Sequence, residues 1–462
     1  MTREIPGAFL ARMRELLGSD FEAFERALQD EPRRGLRVNP LKIAPADFAA
    51  ASPFALEPSP LCPEGFFIDT DAPAGKHAFH AAGLYYLQEP SAQSAVTALD
   101  PKPGMRVLDL CAAPGGKSGH AAGRLGGDGF LLSNECVGSR ARILGYNLER
   151  LGVRNAAVSC LMPDVLAAAC GSAFDAVIVD APCSGEGMFR REEAALTEWS
   201  EAHALSCAQR QLHILDDAAK MCAPGGTLLY STCTLNPEEN EGAAESFMQA
   251  HPEFDVEEIT TVQLPAGHPE WCGARETLRH AGRLMFYNAP GEGHFVVKLR
   301  KSADGPEYAP QTQTGKGKLR LRALDKNEMK FFREMFADCF DAEPFYEPLV
   351  RDDTVWLTPP EAINLPGCLL PGVCAGELKK GRFEPSHTLF MAMRGDEIRR
   401  KLVLDPEDEL LERFFRGEEI PCGEKGFTAV CVRAGDGVYP VGFGKASGGV
   451  LKNRFPKGLR LV

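Results

Sequence analysis

The sequence lacks the features that mark several large classes of protein. None of its 15 cysteines stands in a C-x-x-C pair, so zinc-finger and thioredoxin-like sites are not indicated. An odd number of cysteines in a chain of 462 residues also argues against a disulfide framework and for a reducing compartment. No apolar run approaches the ~18 residues that a membrane helix needs, and residues 1–18 carry too many charges for a secretory signal. They read instead as an amphipathic helix. We therefore expect a cytoplasmic protein with no membrane partner.

A net positive charge, common among nucleic-acid-binding proteins, is missing too, because the formal net charge is −13. Binding depends on local charge, however, and two stretches contain no acidic residue. Residues 33–42, "RRGLRVNPLK", hold the first set, Arg33, Arg34, Arg37 and Lys42. Residues 437–462 hold the second set, Lys445, Lys452, Arg454, Lys457 and Arg460. Each stretch alone is equally compatible with a solvated face and with a site that binds an anionic polymer. Together they modestly favour an anionic polymer as partner.

Short apolar runs bounded by Gly, Pro or polar residues begin at about residue 86. They cover 106–112, 129–135, 155–160, 174–182 and 226–233, with helical patterns such as 139–152 and 208–222 between them. Strands that alternate with helices predict an α/β fold with a mostly parallel, doubly wound sheet. Ligands bind such sheets at the carboxyl ends of the strands. The runs 283–288 and 294–301 predict an antiparallel hairpin at the edge of the sheet.

Composition divides the chain into four parts. Residues 1–85 form a small N-terminal domain and 86–301 the α/β domain. Residues 302–318 are rich in Gly, Gln and Thr, which is typical of a linker. Residues 319–462 form at least one further globular unit.

The stretch "LDLCAAPGGKSGHAA" (108–122) follows the first strand of the α/β domain and opens a helix. Its small residues let the backbone approach a ligand closely, yet it is neither G-x-G-x-x-G nor a Walker A loop. Glu135 ends the next strand, where a carboxylate can accept hydrogen bonds from ribose hydroxyls. Asp164 follows the third strand, where it can accept from an adenine amino group. The set points to a nucleoside cofactor without a pyrophosphate, and S-adenosylmethionine fits best.

Two cysteines lie in loops that follow strand-like runs. Cys183 stands in "VDAPCSGEG" and Cys233 in "YSTCTLNPEENE". A cysteine taken at random is more often a small buried hydrophobe than a nucleophile. Taken alone, "DAPCSG" is compatible with an amide-recognising loop of amino methyltransferases or with the Pro-Cys nucleophile of DNA cytosine-C5 methyltransferases. "NPEEN" is compatible with a simple helix cap.

The motifs "LDLCAAPGGKS", "VDAPCSGEGMFRR" and "YSTCTLNPEENE" closely resemble the Sun/Nop family of RNA cytosine-C5 methyltransferases. The resemblance covers about 33–300, and "RGLRVNPLK" resembles that family's RNA-contacting motif. "EGMFRR" and the long C-terminal extension are similar to the bacterial RsmF-like branch, which modifies small-subunit ribosomal RNA. Glu186 departs from the family pattern, which usually has a small residue after "PCSG".

The resemblance implies a Rossmann-like class I methyltransferase core, with a mostly parallel seven-stranded sheet and an antiparallel edge strand. A small N-terminal α+β domain and a C-terminal α+β region with a PUA-like RNA-binding part are expected beside it. Cys233 is the expected nucleophile, Cys183 assists product release, and Asp180 and Lys117 complete the catalytic set. The residues expected to hold S-adenosylmethionine are Cys111, Ala112, Ala113, Pro114, Gly115, Gly116, Lys117, Glu135, Arg140, Asp164 and Asp180. No metal is expected.

The chemistry explains why these residue types are needed. Carbon 5 of cytosine is a poor nucleophile, and addition of a thiolate to carbon 6 creates the enamine that accepts a methyl group at carbon 5. Negative charge then develops at N3, next to the exocyclic amine. We expect a buried, protonated Asp180 with a raised pKa to bond this edge, with Lys117 adding positive charge. A second thiol, Cys183, can serve as or position the base for elimination.

The sequence thus predicts methylation of cytosine C5 in ribosomal RNA, with 16S RNA as the substrate, either naked or in an assembling subunit. The alternatives are a transfer-RNA cytosine-C5 methyltransferase, a DNA methyltransferase that uses Cys183, and a non-catalytic RNA-binding assembly factor. We expect a monomer with no obligate protein partner.

Overall fold

A computed structural model describes residues 5–311, 321–363 and 365–460. The first part of the chain holds two helices followed by a small four-stranded sheet. Its elements are α1 (Gly7–Leu17), α2 (Phe21–Ala27), β1 (Arg34–Val38), α3 (Pro45–Ala51), β2 (Glu57–Pro58), β3 (Gly65–Ile68), α4 (Ala78–Ala81) and β4 (Tyr85–Leu87). The strand order in this sheet is β2-β3-β1-β4. The amphipathic helix predicted for residues 1–18 is confirmed as α1, which buries Phe9, Met13 and Leu17 on one face.

The central part confirms the predicted α/β fold. Its elements are α5 (Ser94–Leu99), β5 (Arg106–Asp109), α6 (Gly116–Leu125), β6 (Phe130–Asn134), α7 (Gly138–Leu151), β7 (Ala156–Ser159), α8 (Pro163–Cys170), β8 (Phe174–Asp180), α9 (Glu193–Glu198), α10 (Glu201–Met221), β9 (Cys222–Thr232), α11 (Glu241–Ala250), β10 (Phe254–Val256), β11 (Gly282–Leu284) and β12 (His294–Lys301). Strands β5 to β9 are parallel, and β12 runs antiparallel to β9. The predicted hairpin is confirmed, because β11 pairs antiparallel with β12.

The C-terminal part contains two five-stranded sheets. Its elements are β13 (Arg322–Ala323), α12 (Lys326–Cys339), β14 (Pro348–Arg351), β15 (Thr354–Leu357), β16 (Cys368–Leu370), β17 (Val373–Lys379), β18 (Arg382–Pro385), α13 (His387–Ala392), β19 (Lys401–Leu404), α14 (Glu409–Phe415), β20 (Ile420–Pro421), β21 (Gly426–Ala434), β22 (Gly437–Ser447) and β23 (Val450–Asn453). Asp325 and Glu328 form a capping box that fixes the start of α12.

The central sheet has nine strands, of which seven form the expected core in the order β7-β6-β5-β8-β9-β12-β10. Strand β11 is added beside β12, and β16 is added beyond β7 by the C-terminal part. The core strands are buried on both faces, which explains why they read as continuous apolar runs in the sequence.

The first 85 residues contribute to two different hydrophobic cores. Helices α1 and α2 pack through Phe9 and Phe24 against Phe189 and Leu235, which follow the two cysteine loops. The small sheet packs instead against the last sheet of the chain, in a core shared by residues such as Leu36 and Phe414. The two helices therefore pack as one unit with the central part.

Residues 302–311, the described half of the predicted linker, run along the surface of the central part. The backbone of Tyr308 bonds Ser172, and Gln311 N–H donates to the Ala168 carbonyl at 2.8 Å. The other half, 312–318, lies outside the described residues. No helix in the described part of the chain has the length and apolar character to cross a membrane.

Candidate active site

The predicted site residues converge at one edge of the central sheet. Parallel strands β5, β6, β8 and β9 all end there; Lys117 lies in the first turn of α6, after β5, and the loops after the other three strands carry Glu135, Cys183 and Cys233. Asp180, the last residue of β8, pairs in register with Ser231 of β9. This is the edge at which a doubly wound sheet binds its ligands.

The turn between β5 and α6 is held by side chains from its surroundings. Arg140 donates to the Ala113 carbonyl at 3.0 Å, and Asn147 donates to the Pro114 carbonyl at 2.9 Å. The Ala113–Pro114 peptide is cis, and Gly115 has a φ of 114°, a conformation that favours glycine. The backbone of 111–116 is therefore fixed close to the end of β6, with Ala112 N–H bonded to the Asn134 carbonyl.

Carboxylates dominate this cleft. Glu135 is 3% exposed, and one of its oxygens accepts from Val137 N–H at 2.9 Å while Arg140 lies 3.4 Å from the other. Asp109, which the sequence analysis did not single out, is fully buried and accepts from Ser118 Oγ at 2.7 Å. Its Oδ1 has no hydrogen-bond partner among the described residues, and burial raises its pKa to about 7. Asp164 lies exposed in the first turn of α8.

Asp180 is paired differently from what the sequence suggested. Its Oδ2 lies 2.7 Å from Lys117 Nζ, and its Oδ1 accepts from Ser231 Oγ at 2.9 Å. Burial pushes the pKa of Asp180 upward, but the Lys117 charge and these hydrogen bonds outweigh burial and hold the pKa below its ordinary value. The predicted raised pKa is therefore wrong, because an ammonium group in direct contact favours the carboxylate. In this site Asp180 is an anion.

The two thiols face each other. The sulfur atoms of Cys183 and Cys233 are 3.4 Å apart, and both side chains are half-buried. The hydrogen bond to Cys233, together with burial, raises the pKa of Cys183 well above its ordinary value. Either sulfur can donate the hydrogen bond between them, and the raised pKa keeps Cys183 a thiol.

Glu239 ties the two cysteine loops together. Its carboxylate accepts from the backbone N–H of Ser184 at 2.9 Å, from Thr234 Oγ1 at 3.2 Å and from Gln211 Nε2 at 3.0 Å, and also from the Ser184 hydroxyl. Ser184 follows one thiol and Thr234 follows the other. The sequence analysis read "NPEEN" only as a helix cap and missed this role. Nothing in the local pattern distinguishes a carboxylate turned inward from one that caps a helix.

His294 is a second residue that the sequence analysis missed. It lies two positions before Val296, so the two side chains are on the same face of the sheet. Val296 pairs with Ser231, and Ser231 pairs with Asp180, so His294 shares this face with Asp180. Its Nε2 is buried without a hydrogen-bond partner in the described ranges. Burial and the Lys117 charge lower the pKa of His294 to about 3, so the imidazole is neutral. It places an uncharged polar ring near the Lys117–Asp180 pair.

The two basic stretches have different outcomes. Arg37 is 3% exposed and donates to the Gly116 carbonyl at 2.9 Å, and Lys42 donates to the Ala82 carbonyl at 2.7 Å. The prediction of an RNA-contacting charge is therefore wrong for Arg37, which instead fixes the cofactor turn. In the second stretch four of the five basic residues are exposed, whereas Arg460 is half-buried. Its exposed residues on β22, on β23 and just after them are Lys445, Lys452, Arg454 and Lys457.

One group of candidate metal ligands occurs in the ranges that the structure describes: Cys62, Glu64 and His120. Cys62 Sγ lies 3.2 Å from Glu64 and 3.7 Å from His120 Nε2. Arg124, however, donates to the same Glu64 oxygen at 3.0 Å and brings positive charge to the place that a cation would take. Because Arg124 occupies this place, we assign the group no metal.

Comparisons with known proteins match nearly the whole length of the chain. The family model described as "16S rRNA methyltransferase RsmB/F" matches residues 96–300, and the model described as "N-terminal domain of 16S rRNA methyltransferase RsmF" matches residues 5–90. The first C-terminal domain of RsmF rRNA methyltransferase matches 330–393, and the methyltransferase RsmF PUA domain matches 401–461. The chain is 34% identical to Ribosomal RNA small subunit methyltransferase F of Escherichia coli O17:K52:H18 (strain UMN026 / ExPEC), over 98% of this chain and 96% of the relative. The chain belongs to the RsmF family.

Other relatives agree with this membership. The protein of the same name from Klebsiella pneumoniae (strain 342) is 35% identical, again over 98% of this chain and 96% of the relative. Among solved structures, a methyltransferase homolog protein from Pyrococcus horikoshii has a TM-score of 0.55 and 27% identity, covering 64% of this chain and 100% of that one. NSun6 from the same organism, solved with SFG, has a TM-score of 0.56 at 22% identity, covers 65% of this chain and 99% of that one, and shows the fold alone. The predicted class I methyltransferase core and PUA domain are confirmed.

RsmF-family proteins are S-adenosylmethionine-dependent methyltransferases, and the cleft fits this cofactor. It presents buried acceptor oxygens, on Asp109 and Glu135, to a molecule that is rich in hydroxyl and amino donors. Its buried cation Lys117 is paired with Asp180, and Arg37 donates to the Gly116 carbonyl, so neither is free to bind a phosphate. Val137 and Met162, both exposed and apolar, follow β6 and β7 and offer surface for a flat ring. The sequence analysis did not single out these two residues.

Proposed function

We propose that this chain transfers a methyl group from S-adenosylmethionine to carbon 5 of cytosine in ribosomal RNA, with 16S RNA as the substrate. The observation that carries the proposal is the pair of thiols 3.4 Å apart, next to the Lys117–Asp180 ion pair of 2.7 Å. The relatives are named as methyltransferases of small-subunit ribosomal RNA, which supports the same substrate class for this chain.

In the proposed mechanism Cys233 is the nucleophile. Its sulfur adds to carbon 6 of a cytosine that has left its base stack. Cys183 stays a thiol, since its pKa is raised. Cys233 releases its own proton to solvent, and the S–H of Cys183 then donates a hydrogen bond that stabilises the Cys233 thiolate. Glu239 holds both loops at the spacing that the pair needs.

Asp180 and Lys117 recognise the edge of the base. As a carboxylate, Asp180 accepts a hydrogen bond from the exocyclic amine of cytosine and would repel the carbonyl oxygen that uracil carries at this position. The Lys117 ammonium, in contact with Asp180, stabilises the negative charge that develops at N3 after attack on carbon 6. S-adenosylmethionine supplies the methyl group, and Cys111 to Lys117, Glu135, Arg140, Asp164 and Asp180 are the residues proposed to hold it or line its pocket.

Product release follows from the same pair of thiols. Once Cys233 is bonded to carbon 6, it no longer accepts the hydrogen bond that kept Cys183 protonated. Cys183 then loses its proton to solvent, and the resulting thiolate takes the proton from carbon 5. The electron pair of that C–H bond forms the C5–C6 double bond, the C6–S bond breaks, and Cys233 leaves as a thiolate. The exposed basic face at Lys445, Lys452, Arg454 and Lys457 is proposed to bind the RNA backbone, so that binding weakens as salt rises.

The test is bisulfite sequencing of ribosomal and transfer RNA from a strain that lacks this protein. We expect one or more 5-methylcytidines to disappear from 16S RNA and to return with the wild-type gene but not with Cys233→Ala. Loss confined to transfer RNA would replace the substrate in this proposal. Restoration by Cys233→Ala would overturn the mechanism, in favour of Cys183 as nucleophile if Cys183→Ala alone fails to restore the mark.

A further inference from the structure

Glu186 is the residue at which the sequence departs from the Sun/Nop pattern, and its surroundings are unusual for a loop residue. The side chain is fully buried, three positions after Cys183. Its carboxylate accepts from Arg12 of α1 at 2.6 Å and from the Trp199 indole N–H at 2.8 Å. These two partners hold the buried carboxylate in place, because moving it away from either one would leave a buried charge or a buried N–H group without a partner.

The next residue connects this carboxylate to the second cysteine loop. Gly187 N–H donates to the Cys233 carbonyl at 2.9 Å. A Cβ at Gly187 would lie 2.4 Å from the Gly293 carbonyl oxygen and 2.6 Å from that of Cys233, so only glycine fits. The peptide that joins Glu186 to Gly187 is thus held on one side by α1 and on the other by the backbone of Cys233.

Apolar packing makes the same connection. Phe9 of α1 contacts the ring of Phe189 edge-on, with ring centroids 5.0 Å apart, and lies 6.2 Å from the ring of Trp199. Helix α1 therefore meets the loop after Cys183 through a buried ion pair and an aromatic cluster. These contacts and the Gly187–Cys233 hydrogen bond form one continuous connection from α1 to the backbone of Cys233.

We propose that Glu186 is a positioning residue through which the N-terminal helix α1 sets the position of the Cys233 sulfur. The inference rests on the proposed role of Cys233 as nucleophile. It makes α1 part of the catalytic unit, so that displacement of this helix lowers the rate of attack on bound RNA. Reaction rates fall steeply when a reacting group is misplaced, by about 100-fold for a 1 Å error.

The test compares Arg12→Gln, Glu186→Gln and the double variant in single-turnover methyl transfer at saturating RNA and cofactor. We expect each single variant to lose about tenfold or more in rate, with RNA dissociation constants that change less than twofold. Because both substitutions break one connection, the double variant should lose no more than the worse single variant. Arg12→Lys keeps the charge on α1 and should recover part of the rate.

Two matched controls separate positioning from loss of stability. Arg14→Gln removes a charge from the same helix, but Arg14 is 69% exposed and does not contact Glu186. Glu397→Gln neutralises a carboxylate that is 10% exposed and paired with Arg154, away from the thiols. Both controls should react at the wild-type saturating rate, even if Glu397→Gln melts at a lower temperature.

Wild-type rates at saturation in the Arg12 and Glu186 variants, or losses found only in RNA affinity or thermal stability, would overturn the inference. The wild-type protein is also tested with RNA that contains 5-fluorocytidine, which stops the reaction at the covalent stage. If the wild type forms no adduct at Cys233, the proposed function fails. If the adduct forms equally fast in all variants, only the role of Glu186 fails.

Discussion

Glu239 offers the sharpest test of how the site is held together, because two substitutions at this position should behave very differently. Two donors, Ser184 N–H and Gln211 Nε2, point at one carboxylate oxygen, at 2.9 and 3.0 Å. The other oxygen accepts only from hydroxyl groups, those of Ser184 and Thr234. Hydroxyl groups can reverse and accept a hydrogen bond, whereas amide N–H groups cannot.

The magnitudes follow from this asymmetry. Glu239→Gln can keep its carbonyl toward the two amide donors and turn its amide toward the hydroxyls, so we expect a loss of about 1 kcal/mol in the free energy of unfolding. Glu239→Ala leaves two buried amide donors unpaired, at about 2 kcal/mol each, for a total of about 4 kcal/mol. The two cysteine loops should also be displaced more in Glu239→Ala than in Glu239→Gln, because Ser184 follows Cys183 and Thr234 follows Cys233.

The assay combines chemical denaturation with single-turnover methyl transfer at a temperature where each variant is folded. We expect Glu239→Gln to keep most of the wild-type rate and Glu239→Ala to lose about tenfold or more. Equal stability and equal rates for the two variants would refute this account of Glu239. So would an active Glu239→Ala protein whose stability is unchanged.

Three further outcomes are expected. Cys183→Ala should accumulate a covalent protein–RNA adduct that denaturing gels detect, and turnover at the wild-type rate without adduct would contradict the release step. Lys117→Met removes the charge that lowers the pKa of Asp180, so the acidic limb of the pH–rate profile should move to higher pH. The exposed control Lys102→Met should leave this limb in place. An unmoved limb in Lys117→Met would be inconsistent with the ion pair. Asp109 has a folded-state pKa of about 7, above its unfolded value, so its contribution to stability is complete below about pH 4 and is lost as pH rises through 7. Asp109→Asn should remove about 4 kcal/mol of this pH dependence in unfolding experiments, and an unchanged slope would count against a raised pKa of the buried carboxyl.

The fold was accessible from the sequence because its signals are local. Each core strand of the parallel sheet is a short apolar run ended by Gly, Pro or a polar residue, and this pattern holds for β5 to β9. The convergence of Lys117, Asp180, Cys183 and Cys233 also follows from topology, since parallel strands deliver their following loops to one edge.

What the sequence did not reveal depends on contacts between distant segments. The charge state of Asp180 is set by Lys117, 63 residues earlier, and burial alone suggested the opposite pKa shift. Arg37 looks like a surface charge in its own stretch, but packing against Gly116 buries it. Glu186 is an unexplained departure from a motif until Arg12 is placed beside it. No periodicity or spacing encodes such pairs.

The central claim is that the sulfur of Cys233 attacks carbon 6 of cytosine. The most direct measurement is to incubate the protein and S-adenosylmethionine with substrate RNA that contains 5-fluorocytidine, digest the trapped complex, and locate the modified cysteine by mass spectrometry. The account predicts a nucleotide adduct on Cys233, in the wild type and in Cys183→Ala alike. An adduct on Cys183, or none on any cysteine although the normal RNA is methylated, would contradict it.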